Sequence, residues 1–189
     1  MRHSSPPASA PAFSFDEYKH RYAAWAASRA ASTISCRFKV EVGVAIIDAA
    51  GLRQKLGRVE ALPSAAQAMA EQRALREAII DAASAHGLAF SHGIAAKLLG
   101  MYVKGYLLDH TNAFHDAVIE LHPPLDSQML EQLVAAEVGD LDLWRNLQKT
   151  KWTNFDCEQF EAAVLDLRRI LGPCVPLWQA ERYWPGFRR

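Results

Sequence analysis

The chain has 189 residues, half of them hydrophobic, with 21 Lys+Arg balanced by 21 Asp+Glu and a formal net charge of zero. That length and apolar content fit one large domain or a two-lobed one and exclude global disorder. The balanced charge speaks against a broad phosphate-neutralising surface and leaves only local basic patches. The three cysteines, Cys36, Cys157 and Cys174, form no close-spaced pair. A disulfide framework or zinc knuckle is therefore not expected, and reduced thiols in a cytoplasmic protein are the plain reading. The start of the chain has no apolar segment of signal-peptide length, and no long apolar run predicts a membrane span.

Residues 1–13, rich in Ser, Pro and Ala, read as a floppy tail. Ser14 or Asp16 then caps a helix to about Arg29, in which Tyr18, Tyr22 and Trp25 recur at helical spacing. Residues 38–46 alternate Phe38, Val40, Val42, Val44 and Ile46 as a strand would. The segment nonetheless continues through Ala49 and Ala50 to Gly51, and no second strand exists to pair with it, which argues for a helix. Pro63-Ser64 opens an alanine-rich helix that ends near His86-Gly87. Phe90-Ser91 leads into a further helix bearing Lys97. A long connection from Asp109 to Leu125 has room for a short helix. Asp126 or Ser127 caps the next helix, Gly139-Asp140 restarts the chain for another, and Asp156 begins one that ends at Gly172-Pro173. Pro176 opens a final short element. The expected fold is all-α, in one two-lobed domain over residues 14–189.

Two residues concentrate the chemistry. Lys97 lies near the start of an apolar helix, in Gly93-Ile94-Ala95-Ala96-Lys97. Asp126 opens the next helix after a double proline, in Pro123-Pro124-Leu125-Asp126. A lysine in apolar surroundings must be paired, must reach water along its stem, or is chemically used, because burial favours its neutral, nucleophilic form. Asp126 by itself is explained by helix capping. His110, His115, Asp116 and His122 match no standard metal-ligand spacing, so neither a metal nor another cofactor is expected. Trp144, Trp152, Trp178 and Trp184 fit core positions better than base-stacking platforms.

The lysine segment and the Pro124-Leu125-Asp126-Ser127 segment resemble, in order and placement, the hairpin lysine and the proline-x-aspartate motif of the helix-hairpin-helix DNA glycosylases. The long gap between them is similar to the archaeal 8-oxoguanine branch. The likeness covers roughly residues 70–140. It implies a two-lobed helical fold that excises an oxidised purine from damaged DNA, with a lyase step through a Schiff base. Lys97 is then the nucleophile and Asp126 the charge-stabilising carboxylate. Ser91, His92, Gly93 and Ala95 fall where the family's hairpin contacts phosphate, with Ala95 standing where a second glycine is usual. A cluster of four cysteines is absent, so no iron–sulfur centre is implied. The alternative is a noncatalytic helical module that keeps the scaffold and binds a partner.

Overall fold

The computed structural model describes residues 13–185, and every regular element in that span is helical. The tail expected over residues 1–13 lies outside the described residues except for Phe13, which is exposed. In chain order the α-helices are α1 (Phe15–Ala31), α2 (Val40–Ala49), α3 (Leu52–Lys55), α4 (Ala65–Ser84), α5 (His92–Tyr106), α6 (Ser127–Ala135), α7 (Leu141–Thr150) and α8 (Cys157–Leu171). Short 3₁₀ turns occur at Val59–Ala61, Asp116–Val118, Trp152–Asn154 and Leu177–Tyr183. No helix among the described residues is long and apolar enough to cross a membrane.

Local chemistry sets most of these boundaries. Ser14, Ser91, Asp126, Asp140 and Asp156 each place a side-chain oxygen on an amide of the first helical turn, satisfying donors that otherwise have no partner. At Asp156 the cap is reciprocal, since Gln159 returns its side chain to the Asp156 amide. The segment with alternating valines is helical: Val40–Ala49 buries Ile46 and Ile47 completely, while the remaining residues of the apparent strand face stay partly exposed. Gly51, expected to stop that helix, adopts a positive φ of 68° and restarts the chain as the single turn of α3.

The side chains sort into two apolar clusters. The larger joins α1, α2, α4 and most of α5 around Ile46, Ile47, Ile79, Leu98 and Tyr102. The smaller joins α6, α7 and α8 around Met129, Leu133, Trp144, Phe160 and Leu167, and it takes Ala96 from α5. Helix α5 is thus buried on nearly every side: eleven of its residues are buried, Lys97 among them.

The face of α1 that enters the core is the one carrying the small residues. Ala23, Ala24, Ala27 and Ala31 are fully buried, whereas Tyr18, Tyr22 and Trp25 point outward. Alanine on the inner face lets α1 lie close along α5, since no long side chain separates the two backbones.

Candidate active site

The connection ahead of α6 is held to α4 by polar contacts. Gln72 of α4, almost wholly buried, donates to the Glu120 carbonyl at 2.8 Å and accepts from the His122 amide at 2.8 Å. Pro124 then lies against α5. A Cβ built on Gly100 would stand 3.0 Å from the Pro124 nitrogen and 3.2 Å from its Cα, so glycine is what admits the proline so near the helix. Gly100 is one turn beyond Lys97, and Asp126 is two residues beyond Pro124. This close approach therefore brings the carboxylate to the amine.

Lys97 Nζ donates to Asp126 Oδ2 at 2.8 Å. The other carboxylate oxygen, Oδ1, accepts from the Met129 amide at 3.0 Å and caps α6. One oxygen is fixed by the helix start and the other is left to the amine. Lys97 is 7 % exposed and belongs to the buried set, so its stem does not carry the ammonium to the surface. The pair borders a cavity of about 310 Å³ walled by Met101, Pro124, Met129 and Trp184. A second ion pair, Lys104 with Glu181, stands on the same wall, with the Lys104 ammonium 5.7 Å from the centre of the Trp184 indole. Lys104 lies two turns along α5 from Lys97 on the same face. Glu181 in the final 3₁₀ turn and Trp184 just after it line the cavity. The turn begins where the Leu177 amide donates to the Ile119 carbonyl at 2.9 Å. The Arg168 guanidinium donates to that carbonyl and to those of Gly172 and Val175 in the segment ahead of the turn.

The residues that the resemblance assigns to phosphate contact lie at the start of α5. Ser91 Oγ accepts from the Ile94 amide and donates to the Thr153 carbonyl at 2.8 Å. The Gly93 amide donates to the Phe155 carbonyl at 3.2 Å. A Cβ on Gly93 would fall 1.7 Å from the Trp152 carbonyl oxygen. Ala95 is fully buried. His92 has its Nδ1 buried without a hydrogen-bond partner, and burial, with Arg76 nearby, pulls its pKa below the ordinary histidine range. The 152–155 segment thus packs against the start of α5, with Gly93 in close contact with it and Ala95 in the core. Gly93→Ala is expected to destabilise by about 2–3 kcal/mol, since overpacking against a backbone carbonyl leaves no flexible side chain to yield. Urea unfolding would measure this, and a loss below about 0.5 kcal/mol would contradict the contact.

A second polar constellation, not legible in the sequence, links α4 to α8. Arg76 is completely buried and donates to Glu161 Oε1 at 2.7 Å. Arg73 donates to the same carboxylate through Nε at 2.8 Å. The Phe160 ring lies 4.7 Å from the Arg76 guanidinium, and His122 Nδ1 is 3.5 Å away. The Arg73 hydrogen bond is the largest influence holding the Glu161 carboxyl down at about 2, against the opposing effect of burial. Burial, reinforced by Arg76, lowers His122 to about 3, so its imidazole is neutral at physiological pH. Among the described residues no group of three or more His, Cys, Asp or Glu side chains is arranged to hold a metal ion.

The chain matches no family model, no curated protein and no solved structure. What can be said of its activity rests on the geometry above.

Proposed function

We propose that this protein is a DNA glycosylase of the helix-hairpin-helix type, with abasic-site lyase chemistry, acting on an oxidised purine. The observation that carries the reading is the contact of Lys97 with Asp126 at 2.8 Å beside a cavity of about 310 Å³. In the reaction the base is turned out of the duplex into the cavity. Lys97 attacks C1′ of the sugar after passing a proton to Asp126, the acceptor in reach. The Nζ–C1′ bond forms as the glycosidic bond breaks; the base departs with the bonding pair and takes up the proton that Asp126 had received from Lys97. Asp126, anchored by the Met129 amide, is thereby returned to its carboxylate form and opposes the positive charge on the sugar adduct.

The test is borohydride reduction of the protein with duplex DNA containing 8-oxoguanine or an abasic site. A covalent adduct is expected on at least one substrate, and Lys97→Gln is expected to abolish it. No adduct on either substrate would overturn the reading. A second reading, a noncatalytic module on the same scaffold, is favoured by one observation: the amide at Gly93 is already spent on Phe155. That reading expects DNA binding or protein binding without any adduct.

A further inference from the structure

The zero net charge of the chain conceals an uneven distribution. Residues 18–40 hold Lys19, Arg21, Arg29, Arg37 and Lys39 and no Asp or Glu. Lys19 and Arg21 are engaged, the first over the Tyr106 ring and the second with Glu17. Arg29, Arg37 and Lys39 are not: among the described residues no ion pair or hydrogen bond holds their side chains. All three are exposed and line one cavity of about 560 Å³ between the end of α1 and the start of α2. Glu41 is the one carboxylate among the described residues of its wall. Cations gathered without counter-charges repel one another, so the fold gains nothing from the gathering. A cleft lined by one sign of charge instead draws in the opposite sign.

The cavity is firmly framed. A Cβ built on Gly43 would fall 2.2 Å from Ser28 Oγ and 2.6 Å from its Cβ, so glycine is what seats α2 on the last turns of α1. Ser32 Oγ accepts from the Phe38 amide at 3.1 Å and donates to the Phe38 carbonyl at 2.9 Å, clamping the connection between the two helices. Within it the Thr33 hydroxyl accepts from the Cys36 amide at 3.1 Å. Arg37 and Lys39 flank the clamped residue, so little backbone freedom is left to lose when a ligand arrives. The position of the cavity indicates which anion it fits. Ala30, next to Arg29, lines the cavity at Lys97. Thr33 and Ser35 line a further cavity with Lys151 and with Ser127, the residue after Asp126. The basic cavity thus stands within a turn of α1 of the Lys97–Asp126 site, whereas the start of α5 is packed against residues 152–155. We propose that Arg29, Arg37 and Lys39 bind the backbone phosphates of a DNA strand whose extruded nucleotide enters the Lys97 cavity. The assignment rests on DNA as the substrate, proposed above, and is independent of the lysine chemistry. Contacts of this kind set the position of the strand and carry no base preference.

The experiment is fluorescence anisotropy of the full chain with a labelled duplex carrying a tetrahydrofuran abasic analogue, at salt concentrations from about 50 to 300 mM. The double variant Arg37→Ala/Lys39→Ala is expected to bind at least about tenfold more weakly at the low-salt end, with the slope of log Kd against log salt reduced by about two. Lys55→Ala/Arg58→Ala removes the same charge from another exposed segment and is expected to stay close to the wild type in both quantities. Thermal unfolding followed by circular dichroism checks that both variants keep the fold. Wild-type affinity and slope in Arg37→Ala/Lys39→Ala, or an equal loss in the Lys55→Ala/Arg58→Ala control, would overturn the proposal and leave the borohydride adduct to decide the glycosylase chemistry. The expected loss in the first variant, with no adduct from the wild type, would sustain the phosphate site and overturn the Schiff-base step alone. A wild type that binds inorganic phosphate or anionic vesicles but no duplex would assign the cavity to another anion and overturn the proposal.

Discussion

Asp126→Asn is expected to slow base release by about a hundredfold to ten-thousandfold, the range typical of losing a positioned acid–base group. Were Asp126 a helix cap alone, this change would be nearly silent for stability, because asparagine caps a helix about as well as aspartate. The structure alters that expectation. Oδ1 serves the cap and Oδ2 serves Lys97, so asparagine preserves the first contact and loses the charge in the second. A nearly buried amine left with a weaker partner is expected to lower stability by about 1–3 kcal/mol. Asp126→Ala removes the cap as well and should lose about 1 kcal/mol more. Single-turnover excision beside thermal unfolding separates the effects. An excision rate unchanged in Asp126→Asn would reduce the residue to a cap and remove the carboxylate from the mechanism.

What the sequence made legible follows from the range of the interactions involved. Caps and terminators act within four residues, and Ser14, Ser91, Asp140 and Asp156 start helices as their side-chain chemistry implies. The pairing of Lys97 with Asp126 was open to inference because both sit at ordered points, one early in a helix and one at a helix start, on consecutive long elements. Glu181 and Trp184 gave no such signal: the turn ahead of them is tied to the Ile119 carbonyl, far earlier in the chain, by the Leu177 amide. The occupation of the α5 start was equally hidden, because the turn that fills it comes from the far end of α7. The orientation of α1 is instructive in another way. Periodicity showed that Tyr18, Tyr22 and Trp25 share a face, yet it could not say whether that face is the inner one. Here the small residues won the interior because they allow α1 to come close to α5.

Glu161→Ala is expected to be among the most destabilising substitutions in the protein, at about 3–5 kcal/mol. Arg76 is wholly inaccessible, and removing its carboxylate leaves a buried guanidinium with no opposing charge. Arg73 offers the contrast. It reaches the same carboxylate from a side chain 48 % exposed, so Arg73→Ala should cost no more than about 1 kcal/mol. Acid adds an independent check. The folded pKa of Glu161, about 2, lies below its ordinary value of 4.5, so its contribution is complete above pH 4.5 and is lost as pH falls toward 2. His122 is also depressed, to about 3 from 6.5; its neutral form is the folded one, and its contribution fades over the interval beginning higher, as pH falls below 6.5. Both therefore favour acid unfolding, in windows that overlap between about pH 4.5 and 3. Glu161→Gln should flatten the dependence of stability on pH between about 4.5 and 2 relative to the wild type. It should leave in place the earlier decline that His122 produces. Denaturant titrations at a series of pH values would measure the two slopes. An unchanged slope in the lower window would mean that the Glu161 carboxylate is not held by Arg73 and Arg76 as the distances imply.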